Sequence, residues 1–205
     1  METLGVAIIM KDELIDRLAL QVDFMSALAS EFSIVDTGSK DFEINKPLIE
    51  GWGHNVKLNQ FEWIDDFSAA RNYGLQFLTT DWVLHLDCDE LPSYPMMKSI
   101  ERILNECDPQ IAGWLHFTRN FWGGERGIEV EAHWHCRLFR RSRGIWYKPL
   151  HEQVQLDGRQ EGFARGSILL PNANREDYLI HSKPREKINV SAALYEKMEQ
   201  KQGTW

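Results

Sequence analysis

Short apolar runs separated by helix-spaced segments dominate the first hundred residues. LGVAIIM (4–10) is a short apolar run that reads as a buried strand, and FSIVDTG (32–38), VKLNQFEW (56–63) and DWVLHLD (81–87) read as strands as well. ELIDRLALQVDFMSALAS (13–30) returns its apolar residues every three or four positions, which predicts an amphipathic helix. FSAARNYGLQFLTT predicts a second helix, capped by Asp65 or Asp66, and YPMMKSIERILNE (94–106) a third. The stretch 42–53 fits neither period. Alternating strands and helices imply a parallel sheet with helices on its faces.

From Ile111 the pattern changes. AGWLHFTRNFWGG, VEAHWHCRLFRR, IWYKPLHEQVQL and GSILL read as longer, partly antiparallel strands, with a turn at Gly123-Gly124 and a hairpin at Asp157-Gly158. REKINVSAALYEKMEQK predicts a polar final helix. The expected fold is α/β, a mixed sheet whose N-terminal half is parallel, with helices on both faces. Residues 1–205 are expected to form one domain, with a ligand-binding parallel half over 1–91 and a second half over 111–205.

Composition narrows the class. With 43% hydrophobic and 26% charged residues the chain has the means for a core, which excludes disorder. No apolar run approaches the roughly 20 residues that span a bilayer. METLGVAIIMKDE lacks a basic leader, and Cys88, Cys107 and Cys136 form no CxxC pair, so a reducing cytoplasm is expected. A net charge of −8 argues against non-specific adhesion to nucleic acid. The stretch RLFRRSRGIWYK (137–148) is locally basic, and would suit a phosphate-bearing acceptor. Trp114, Trp122, Trp134 and Trp146 are expected mainly in the core, with a ring platform as the alternative.

The acids sit where strands end, the end at which open α/β sheets bind ligands. Asp36 closes the second strand. Asp87 and Asp89 follow the fourth, on one side, with Cys88 turned away. No Lys or Arg adjoins them in the chain, so the balancing charge is expected to be a hard divalent cation, Mg²⁺ or Mn²⁺, shared with a diphosphate. A solvated acidic turn is the bland alternative.

Five segments together resemble the family 2 glycosyltransferases of GT-A fold: IIMKDE, VDTGSKD, DDFSAARNYGL, DWVLHLDCDE and PLHEQV. The family pattern is close to VDxGSxD, aRNxg, dWvlxlDaDE and vHE, matched well over 4–91 and more loosely over 137–154. The resemblance implies a Rossmann-like GT-A sheet and transfer of a sugar from a nucleotide-diphosphate donor, with a UDP-sugar the first choice, to a hydroxyl. It implies that Asp36, Arg71 and Asp87 bind the nucleotide and that Asp89 and Asp87 hold the metal, with His181 in YLIHSKPREK as a further ligand. Asp12 stands where the family often has Asn, Cys88 where it often has Ala, and Phe42 where a Thr often follows the second motif.

Inverting transfer needs a base for the acceptor hydroxyl. Glu152 is the candidate, with His151 positioning it or touching a phosphate; the alternative is that Glu152 orients the acceptor or pairs with an arginine. Glu129 and Glu131 are next in line. His133 and His135 share a strand face but have no third ligand, which favours exposed histidines over a second metal site. The acceptor is open between a hydroxymethylated DNA base, as in phage enzymes, and a lipopolysaccharide or other glycan. A nucleotidyltransferase would want a Gly-rich, Lys-bearing phosphate loop that IIMKDE lacks. A non-catalytic sugar-nucleotide module and a glycoside hydrolase complete the alternatives.

Overall fold

The structure is a computed structural model that describes residues 1–122, 128–160, 168–169, 178–183 and 194–200. The helix-strand alternation is as the periodicity predicts. Strands β1 (Leu4–Met10), β2 (Glu31–Asp36), β3 (Val56–Gln60) and β4 (Trp82–Asp87) are joined through helices α1 (Ile15–Met25), α2 (Phe42–Glu50) and α3 (Phe67–Leu75). After β4 come β5 (Glu90–Pro92), α4 (Tyr94–Glu106), β6 (Gly113–Trp122) and β7 (Ile128–Arg140). Then follow β8 (Gly144–Tyr147), β9 (Gln153–Leu156), β10 (Arg159–Gln160), β11 (Ile168–Leu169) and β12 (Tyr178–Lys183). Residues 194–200 are helical.

One sheet of nine strands runs β3-β2-β1-β4-β7-β6-β12-β5, with β11 beside β6. The first four strands are parallel; β7 enters antiparallel to β4. Alternation along each strand sorts the core onto two faces. Leu4, Val6, Ile8, Phe32, Ile34, Leu84 and Leu86 join Leu18, Val22 and Met25 of α1, Ile49 of α2 and Ile100 and Ile103 of α4 on one face. Ala7, Val83 and Phe139 face the other way, where Trp146, Val154 and Leu156 of the small β8-β9-β10 sheet cover them. Helix α3 lies on that second face. Its Gly74 permits the approach, since a Cβ there would stand 3.1 Å from Val35 Cγ2.

Several expectations change in detail. The unassigned stretch 42–53 contains α2, whose interior Pro47 removes a backbone donor and hides the helical signal. IWYKPLHEQVQL is two strands, not one, broken at 148–152 by positive φ at Lys148 and His151. Asp66, not Asp65, caps α3, accepting from the Ala69 amide at 2.9 Å; Asp65 sits at φ 58° and accepts from Trp63 Nε1. The Asp157-Gly158 hairpin forms with positive φ at both residues. Gly123-Gly124 lies outside the described residues. Trp114 and Trp146 are core, whereas Trp134 is 46% exposed.

Candidate active site

The chain turns from β1 to β2 and β3 on one side and returns with β4 on the other, so the order reverses between β1 and β4. That is where α/β sheets open a ligand crevice. Register brings Asp36 beside Met10 and Asp87 beside Ile9, so both acids stand at the same strand ends, flanking β1.

Asp36 is fully buried, and its Oδ1 accepts from the amides of Gly38 (2.8 Å) and Ser39 (2.7 Å). Its Oδ2 is buried with no protein partner. Asp12, at φ 51°, laces the neighbouring loop: its amide donates to Ser39 Oγ and its Oδ1 accepts from the Lys40 amide. Asp tolerates that left-handed backbone, as Asn does.

Arg71 is the centre of the second cluster. The α3 cap aims it across the sheet end, 3% exposed. Its Nε and Nη2 donate to Glu152 Oε1 (2.9 and 2.6 Å), and Nη2 also donates to Asp87 Oδ1 (2.9 Å). Nη1 lies 2.8 Å from His85 Nδ1. A guanidinium cannot accept, so Nδ1 is the acceptor and the imidazole proton sits on Nε2. Burial, with the charges of Arg71 and Arg137 adding to it, holds His85 well below the usual histidine range. The guanidinium also lies 4.8 Å from the Trp146 ring. The next residue, Asn72, pins Trp146 by two bonds to its backbone. Phe67 and Ser68 at the start of α3 bond the carbonyls of Pro149 and Lys148. These ties bring Glu152, 81 positions away in the chain, onto Arg71.

The other oxygen of Asp87 accepts from Arg137 Nη2 at 3.2 Å, and the same nitrogen donates to Glu90 Oε1 at 2.9 Å. The β6–β7 register shifts between Trp114 and Leu115, which face Leu138 and Cys136 and leave Arg137 as the extra residue. Such a bulge re-aims a side chain. The divalent ion expected among these acids is not their only source of positive charge: two arginines distant in sequence stand among them. Burial pulls Asp87 upward, but Arg137 and Arg71 outweigh it and hold it well below the usual carboxylate range. Glu90 is pushed up to about 7 by burial, which together with Asp87 outweighs Arg137. Gln21 of α1 fastens the loop, donating to the carbonyls of Asp87 and Glu90.

Asp89 turns away from these arginines toward His181, whose Nε2 is 3.2 Å from Asp89 Oδ1. Adjacent ligands at ~2.1 Å from an octahedral ion stand about 3.0 Å apart, so this pair fits Mg²⁺ or Mn²⁺. Burial lowers the His181 pKa, but the hydrogen bond and charge of Asp89 win and raise it. His181 Nδ1 is 2.7 Å from Asn120 Oδ1. Among the described residues no group of three His, Cys, Asp or Glu converges as a complete metal cage.

His151 is not on Glu152. It is exposed, stacks on Tyr195 at 5.7 Å and lies 3.6 Å from Glu199. Tyr195 in turn stacks on Phe67 at 6.2 Å; burial, then the charges of Glu152 and Asp87, push its hydroxyl up to about 12. The basic stretch is also corrected. Arg140 binds Glu2, Arg141 the Thr80 carbonyl and Arg143 Asp157, so these arginines serve internal contacts rather than a free phosphate-binding surface. The side chains of Glu129, Glu131 and His133 lie outside the described residues.

Sequence reading missed His85, Arg137, Asn120 and Tyr195. His85 had a usable signal, since it shares a strand face with Asp87. Arg137 had none to separate it from its arginine neighbours.

A family model, glycosyl transferase family 2, matches residues 12–112. The matched segment is a glycosyl transferase family 2 domain. A TPR repeat-containing protein of Synechococcus elongatus is 45% identical to this chain over 60 residues, 29% of this chain and 14% of that protein. S. aureus TarS 1–349 in complex with UDP-GlcNAc superposes with TM-score 0.43 and 21% identity, covering 63% of this chain and 37% of that one. Glucosyl-3-phosphoglycerate synthase from Mycobacterium tuberculosis, in complex with phosphoglyceric acid, gives 0.41 and 17%, over 61% and 46%. The chain thus spans less than half the length of each. No helix among the described residues is long and apolar enough to cross a membrane.

Proposed function

We propose that this chain is a metal-dependent glycosyltransferase, moving a sugar from a nucleoside-diphosphate sugar to a hydroxyl. The observation that carries the reading is the gathering of Asp36, Arg71, Asp87, Asp89 and Glu152 at the strand ends beside the β1/β4 reversal, within a chain that carries a family 2 domain. In this reading residues 1–91 hold the donor and the half from 111 onward meets the acceptor. Asp36 offers its unpartnered Oδ2 to the nucleoside. Asp89 and His181 hold Mg²⁺ or Mn²⁺, which supplies positive charge against the departing diphosphate. Asp87 acts by fixing Arg71 and Arg137, since both its oxygens already meet guanidiniums. Glu152 gives Oε1 to Arg71 and keeps Oε2 for the acceptor proton. His151 serves the surface that holds the 194–200 helix near that carboxylate.

A UDP-sugar is the first donor to try. The internally bonded arginines and the −8 charge favour a glycan or other uncharged hydroxyl over a hydroxymethylated DNA base. The test is a nucleotide-sugar panel with Mn²⁺, measuring released nucleoside diphosphate. Release that needs both Mn²⁺ and Asp89 supports the reading. Release of pyrophosphate instead would indicate a nucleotidyltransferase, and tight nucleotide-sugar binding without turnover of any acceptor a binding module.

A further inference from the structure

Three strands meet at His181. In the sheet β12 lies between β6 and β5, so His181 is flanked by Asn120 on one side and Glu90 on the other. The β6–β7 pairing shifts register between Asn120 and Phe121, a local irregularity at the residue that faces His181. His181 Nδ1 stands 2.7 Å from Asn120 Oδ1, and Nε2 stands 3.2 Å from Asp89 Oδ1. A carboxamide oxygen only accepts, so Nδ1 must carry the hydrogen. Nε2 faces the Asp89 carboxylate, to which it donates while no cation lies between them; a divalent ion there would displace that hydrogen and take the Nε2 lone pair. The hydrogen bond at one ring nitrogen decides what the other can do.

We propose that Asn120 is the positioning residue of the cation site: its carboxamide fixes the Nδ1–H tautomer and ring plane of His181, so that Nε2 and Asp89 act together on a divalent ion. This rests on the reading of Asp89 and His181 as cation ligands. Outer partners of this kind raise ligand basicity and orient the ring, and their loss typically weakens metal binding about 10–100-fold. An Asn at this place carries no charge and no motif, so its role comes entirely from the β6–β12 register.

The test has a readout besides turnover. Long-range ¹H–¹⁵N spectra of histidine-labelled protein, recorded with Mg²⁺ and UDP present and assigned by omission in His181→Gln, report which nitrogen is protonated. Wild type should show Nδ1–H and Asn120→Asp should keep it, because a carboxylate also accepts. Asn120→Leu should move His181 toward Nε2–H. Mn²⁺ affinity in the presence of UDP, followed by electron paramagnetic resonance, should fall about 10–100-fold in Asn120→Leu and stay within a few-fold in Asn120→Asp. Nε2–H in wild type overturns the proposal, and needs no variant to fold. Unchanged Mn²⁺ affinity in Asn120→Leu, with affinity lost in Asp89→Ala, overturns the role of Asn120 alone. Unchanged affinity in Asp89→Ala overturns the cation reading and the proposal together.

Discussion

Asp87 and Asp89 are two residues apart and do different work. Asp87 stands between two buried guanidiniums, whereas Asp89 meets a histidine. Asp89→Ala should therefore abolish Mn²⁺-dependent turnover with little loss of stability. Asp87→Ala should cost about 1–3 kcal/mol as well, because charged hydrogen bonds are lost on both sides. Urea denaturation beside a turnover assay separates the two, and equal stability losses would contradict the division. Glu152→Gln tests the base. The positioned carboxylate should contribute about 10²–10⁴ to the saturated rate. A raised acceptor KM with kcat within a few-fold of wild type would instead make Glu152 an acceptor holder. Most of the acids were legible because strand alternation and a terminal position mark them. Arg137 and Asn120 were not, since a bulge and a late strand pairing are long-range events with no local pattern.

The elements were legible where burial is two-sided. β1 is a continuous apolar run and β4 nearly so, interrupted by the buried His85, as suits parallel strands covered on both faces. β5 was hidden because three residues cannot show a period, and α2 because a proline interrupts it. The small sheet depends on close contact at Gly144, where a Cβ would run into the Phe139 ring inside the second core. Gly144→Ala should destabilise by about 1–3 kcal/mol through overpacking, measured as a shift in the urea midpoint. Because β8 carries Trp146 against Arg71, the same change should also raise the donor KM. A neutral Gly144→Ala would mean that the ring moves aside freely.

At the scale of the molecule, Glu2 joins the start of the chain to the end of β7. It accepts from Arg140 Nη1 at 2.6 Å and from Trp82 Nε1 at 2.7 Å, positions 138 and 80 residues away. Burial raises the Glu2 pKa, but the bonds from Arg140 and Trp82 prevail and lower it from the ordinary carboxylate range. A carboxylate depressed in the folded state stabilises fully above its unfolded value, and that gain fades as pH falls through the folded value. Wild type should thus exceed Glu2→Gln in stability at neutral pH, and the gap should close in acid below 4.5. Denaturation midpoints of both proteins across that range check it; a pH-independent gap would assign the effect to packing.

The placement of β12 between β6 and β5 has a temporal side. His181 is made some ninety residues after Glu90, its neighbour in the finished sheet. At ~5–20 residues per second, synthesis leaves the edge of β5 unpaired for roughly 5–20 s and that of β6 for roughly 3–12 s. An open edge invites pairing with another chain. The strand that carries His181 is therefore also the one that joins β5 to the rest of the sheet. A nascent chain that has not reached it lacks one partner of the proposed cation pair while the edges of β5 and β6 stand open, so the strand that would complete the site is also the one that covers those edges.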